Sequence, residues 1–207
     1  MKKSVITLSV LLGLACSQAM ASTTELTITG TITPSACTPT LGNNGLVDYG
    51  RLSVESLEAT NDSYSLPEKN LTFTVDCAAS TLFALIGTDN RSASSADQNG
   101  FGLGLHGVTS IGHYALLFEN AELDGQQANG LLSMDAGQTW QYWPRNVVLL
   151  PHGNSPDART GFGLNTRPTP TNHLSATLVV AGEIKNDLPF NDDIQLDGSS
   201  TLEVFYL

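Results

Sequence analysis

Apolar and polar positions alternate with period two in short runs along this chain, and no run recurs with a period near 3.6. The first run covers residues 26–32, where Leu26, Ile28, Gly30 and Ile32 alternate with Thr27, Thr29 and Thr31. Gly30 interrupts its apolar face, as glycine does where another backbone or side chain comes close. In 69–77, Leu71, Phe73, Val75 and Cys77 face one way. Residues 173–183 predict a further strand, and in 199–207 Leu202, Val204 and Tyr206 oppose Phe205 and Leu207. Residues 81–88 are continuously apolar, the pattern of a strand covered on both faces. Weaker runs predict strands at 46–50, 101–105, 113–119, 130–134, 140–144 and 147–150. A single helical turn is expected at 56–59, and polar loops at 89–100, 152–160 and 184–198. Gly-Phe-Gly-Leu occurs at 100–103 and 161–164, but its flanks do not match and it is no repeat. Short strands separated by turn residues predict an all-β sandwich or barrel.

The first residues change the picture. Lys2 and Lys3, an apolar run at 5–15 and the small residues Ala19 and Ala21 have the order of a secretory signal peptide over 1–21. Its apolar run is too short to span a bilayer. A lipoprotein anchored at Cys16 fits poorly, because the leucine before it stands one place off. Removing 1–21 takes away two of nine basic residues and no acidic one, leaving seven against twenty, a net charge of −13. Such a chain is a poor ligand for nucleic acid or an anionic membrane surface, both of which require clustered Lys and Arg. Cys37 and Cys77 then remain, and two cysteines in an exported chain read as one disulfide. The alternative is two free, buried thiols. One domain is expected over 36–207, after an extension at 22–35.

Candidate chemistry is sparse. His106, His113, His152 and His173 are scattered, with no metal-ligand spacing. Asp187, Asp192, Asp193 and Asp197 lack the order of a calcium loop and read as a solvated acidic loop. There is neither a nucleophile elbow nor a phosphate-binding glycine loop, so no enzyme, cofactor or metal is expected. Trp140, Tyr142 and Trp143 form the one aromatic cluster. Exposed, they could stack on a sugar; buried, they belong to a core.

The alternating run around Gly30, the cysteine after it, the second cysteine ending the next strong strand, and the final strand with Tyr206 beside Leu207 resemble the subunits of chaperone–usher pili (fimbriae) of Gram-negative bacteria. The mature chain is longer than common members, with the excess in its weakly patterned middle, so the resemblance is to a divergent branch. It implies an incomplete immunoglobulin-like β-sandwich that lacks its last strand, and no enzymatic activity. A periplasmic chaperone would lend that strand, and at an outer-membrane usher the extension of another pilus subunit would replace it. Leu26, Ile28 and Ile32 would then fill pockets, with Gly30 where nothing larger fits. Leu202, Val204 and Tyr206 would line the groove, and Leu207 would meet basic chaperone residues. Export through the periplasm into an adhesive fimbrium follows from the same resemblance. The competing expectation is a self-contained secreted β-sandwich that binds carbohydrate through Trp140, Tyr142 and Trp143.

Overall fold

The computed structural model describes residues 26–30 and 36–207. The chain divides into two units, 1–32 and 33–207. In the first unit, residues 26–30 carry neither helix nor strand, and Leu26 and Ile28 are 82% and 87% exposed. Ile32 and residues 1–21, the expected signal peptide with Cys16, lie outside the described residues.

The second unit is all-β, with no α-helix among its described residues. Its strands begin with β1 (Cys37–Leu41), β2 (Glu58–Ala59), β3 (Ser63–Ser65), β4 (Lys69–Thr81) and β5 (Phe83–Asp89). Next come β6 (Phe101–Gly102), β7 (Leu105–His106), β8 (Thr109–Ser110), β9 (Gly112–Leu123), β10 (Gln126–Gln127) and β11 (Asn129–Ser133). The last are β12 (Gln141–Trp143), β13 (Asn146–Leu149), β14 (Arg159–Gly163), β15 (Thr171–Lys185) and β16 (Ser200–Tyr206). In the first sheet, β15 lies between β4 and β9; β1 pairs with β4, while β6, β10 and β13 pair with β9. The second sheet runs β12-β11-β14-β5-β16, and β7 pairs with β8 in a small separate hairpin. Two antiparallel sheets face each other in a sandwich-like, immunoglobulin-like arrangement.

Alternation explains most of this. Phe73, Val75 and Cys77 of β4 are buried between half-covered or exposed neighbours. Inward rings bridge the two sheets: Phe118 of β9 lies 5.0 Å from Phe73 and 5.5 Å, edge-on, from Phe162 of β14. In β9 the inward positions change parity, from Leu116 and Phe118 to Ala121 and Leu123. The cause is a bulge: Asn120 has φ 51, and the pairing with β15 shifts between Ser175 and Thr177. β5 is buried on both faces, as its continuous apolar run predicts.

Two expectations need correction, and one strand is not expected from the sequence. Residues 46–50 pair with no strand; Val47 and Tyr49 are half-buried and Leu46, Asp48 and Gly50 are exposed. The expected turn at 56–59 is instead a short 3-10 turn at Val54–Ser56 followed by β2. The sequence also gives no warning of β14, a central strand of the second sheet. Its glycines disguise it: a Cβ on Gly161 would stand 2.7 Å from the Trp140 ring, and one on Gly163 would stand 2.0 Å from the Arg167 carbonyl oxygen.

Strand direction gives the sandwich two distinct ends. Cys37 pairs with Cys77, Thr171 with Thr81 and Tyr206 with Phe83 at one, the disulfide end. Lys69 pairs with Val180, and Ser200 with Asp89, toward the other. The Cys37–Cys77 disulfide ties β1 to β4 across a sequence separation of 40. It places the chain among those that fold in an oxidising compartment. No helix of the described residues is long and apolar enough to cross a membrane.

Candidate functional site: an open seam between β1 and β16

Each sheet ends in a strand that is paired along one edge only, and these two strands lie near each other. Among the described residues, β1 pairs with β4 alone and β16 with β5 alone. The two edge strands meet at the disulfide end, where the Cys37 backbone N–H donates to the Tyr206 hydroxyl at 2.9 Å.

β16 is held on one edge and on its outer face. The Asn90 N–H donates to the Ser199 carbonyl at 3.0 Å, and the Leu207 N–H donates to the Leu82 carbonyl at 3.1 Å. Backbone groups alternate sides along a strand, so odd-numbered positions of β16 bond to β5. The N–H and C=O groups of Leu202, Val204 and Tyr206 therefore point to the open side. The side chains of Leu202 and Val204 pack against the core while remaining half-exposed, and that of Tyr206 on the same face is exposed. Leu41 of β1 packs as Leu202 and Val204 do. A half-buried apolar row beneath unpaired backbone donors and acceptors is the surface to which another strand adds.

The outer face of β16 is clamped by groups without periodic signature. The Arg159 guanidinium lies over the Phe205 ring at 4.5 Å, and its Nη1 donates to the carbonyls of Pro156 and Ala158, both at 2.8 Å. Arg159 is buried, and its Nε has no partner. Leu207 Cδ2 lies 2.9 Å from where a Cβ on Gly137 would stand, and Gly137 has φ +92. The turn carrying Gly137 is tied by Asp135, which accepts from the Thr139 hydroxyl at 2.6 Å, the Thr139 N–H at 2.8 Å and the Ser133 hydroxyl at 2.7 Å. These bonds, the Thr139 hydroxyl first, lower the Asp135 pKa to about 2.

Other sequence candidates are dispersed. Tyr142 and Trp143 are exposed on edge strand β12, whereas Trp140 packs on Gly161 and donates from Nε1 to the Gly137 carbonyl at 3.1 Å. His173 Nδ1 lies 2.7 Å from Asp76, and His113 lies 3.9 Å from Asp97. His106 sits on β7. His152 Nδ1 is buried without a partner. Among the described residues, no three His, Cys, Asp or Glu side chains form a metal-binding group. The acidic loop is partly neutralised, Asp187 by Lys185, Asp193 by Arg51 and Asp197 by Arg91. A Cβ on Gly30 would meet nothing within 4 Å.

The chain is similar to known sequences whose descriptions assign no activity. A family model described as a protein of unknown function (DUF1120) matches residues 26–116, which include the alternating run, β1 and the disulfide. The Escherichia coli (strain K12) uncharacterized protein YhcF is 25% identical over 93% of this chain and 94% of its own length. The protein GltF of the same organism is 40% identical over 47% of this chain and 42% of its own length. No solved structure matches.

Proposed function

We propose that this chain is a structural subunit of a surface pilus, assembled by exchange of strands between copies or with other pilus subunits. The carrying observation is the open seam: two unpaired edges meet beside half-buried Leu202, Val204 and Leu41, while the apolar residues Leu26 and Ile28 stand exposed. The two features are complementary. One lacks a strand; the other is an alternating sequence without a sheet. A periplasmic chaperone would fill the seam first, and the extension of the next subunit would replace it at an outer-membrane usher. Exposed Tyr142 and Trp143 favour a second reading, a sugar-binding sandwich, but that reading leaves the seam without a purpose.

The test is amide exchange with a peptide of residues 23–35. Bound in the seam, the peptide slows exchange at Leu202, Val204 and Tyr206. A peptide that leaves these three amides unchanged would falsify the reading. The mature chain without residues 25–32 should accept a strand but donate none, so it should cap wild-type fibres rather than extend them.

A further inference from the structure

The end of the sandwich opposite the disulfide carries a hollow of about 630 Å³. Half-buried Val47, Tyr49 and Leu196 lie in its lining, and Phe190 beside them is exposed. The Tyr49 hydroxyl is buried without a partner. Asp48, Glu55, Asp192 and Asp193 add four carboxylates against Arg51 alone, which pairs with Asp193 at 3.3 Å.

The disulfide end carries exposed Asp76, Glu122 and Asp124 on β4 and at the end of β9, but one turn there has matching chemistry. The turn from β12 to β13 presents exposed Trp143, Pro144 and Arg145, and Arg167 is exposed on the nearby connection from β14 to β15. Arg145 and Arg167 form no ion pair among the described residues. The other described cations are engaged: Arg51, Arg91 and Lys185 with carboxylates, and Lys69 and Arg159 over the rings of Tyr49 and Phe205. Trp and Arg are the residue types that anchor protein interfaces.

We propose that the Trp143–Arg145 turn of one copy, with Arg167 beside it, docks into the acid-rimmed hollow of the preceding copy. This rests on the strand-exchange reading, which supplies the direction. A donated strand running antiparallel to β16 ends near Ser200, at the hollow. Within a few residues the donor's own body begins at Cys37, its disulfide end, because a chain spans at most about 3.5 Å per residue. The disulfide end of each donor therefore faces the hollow of its acceptor. Opposite charges at the two faces guide the ends together and disfavour acidic end against acidic end.

The test uses the full mature chain, with light scattering for assembly and the 23–35 peptide for strand binding. Trp143→Ala and the pair Arg145→Glu with Arg167→Glu should slow assembly by about three- to tenfold at low salt, as rim charges act on association rate. Peptide binding should stay at the wild-type level. High salt should shrink the effect of the charge reversal but not that of Trp143→Ala. Acceptors bearing Asp192→Lys and Asp193→Lys should restore the rate of the reversed donor. Variants that assemble at the wild-type rate while binding peptide normally overturn the docking, and strand exchange stands. Loss of rate that swapped acceptors do not restore overturns the charge pairing, and a wild-type chain that neither binds peptide nor assembles overturns both readings.

Discussion

If the chain assembles by strand exchange, Ile28→Ala should leave the single chain as stable as before and weaken each joint between copies. Ile28 is 87% exposed, so the folded chain gains little from its side chain. Substitutions at such positions usually change stability by less than about 0.5 kcal/mol. In a seam over Leu202, Val204 and Leu41 the same side chain would be buried. Full burial of an isoleucine is worth roughly 1.5–3 kcal/mol, and truncation to alanine forfeits most of that, about 2 kcal/mol. At 1.4 kcal/mol per factor of ten, the joint equilibrium falls about 30-fold. Thermal unfolding of the monomer by circular dichroism measures the first effect, and guanidinium-driven dissociation of assembled fibres the second. Equal shifts in both, or a monomer lowered by 2 kcal/mol beside an unchanged fibre, would refute the reasoning, since Ile28 would then serve its own domain.

Other outcomes follow from the bonds around the seam. Replacing Cys37 and Cys77 by alanine frees a loop of 40 residues, and the chain-entropy relation puts the loss at about 4 kcal/mol, read as a lower urea midpoint with a steeper slope, because the unfolded chain without its cross-link exposes more surface. Tyr206→Phe removes the acceptor of the Cys37 N–H; the Cys37 amide should exchange faster, and stability should fall by roughly 0.5–1.5 kcal/mol. Asp135 has a folded pKa near 2, below its unfolded value, so its contribution is complete above about pH 4 and disappears as pH falls toward 2. Asp135→Asn should therefore flatten the acid limb of the unfolding profile between those values, while a profile as steep as the wild type's would assign that limb to other carboxylates.

Local alternation makes β4, β15 and β16 legible without any knowledge of pairing, because each turns one consistent face to the core, and β5 is legible from its continuous apolar run, because both of its faces are covered. It failed where tertiary contact sets the rule. β14 needs glycine because Trp140 and the Arg167 carbonyl occupy the space of two side chains, so the strand lost its apolar signature. The bulge at Asn120 broke the period of β9, and the weak pattern in the middle of the chain reflects it. At the seam, sequence identifies the inward row Leu202 and Val204. That their backbone edge is unpaired is a fact of sheet order, which no local pattern encodes. The Arg159 clamp on Phe205 joins residues 46 positions apart without periodicity and was equally invisible.

The disulfide occupies the first rung of the ladder between β1 and β4. Tension applied through the segment before Cys37 meets only the bond from the Ala78 N–H to the Ala36 carbonyl before it reaches that rung. An edge strand pulled from its end normally peels, breaking one pair of hydrogen bonds after another. Here the first rung is covalent, so the load passes at Cys77 into β4, an interior strand flanked by β1 and β15. To yield, the sandwich must shear that strand along its length rather than unzip its edge.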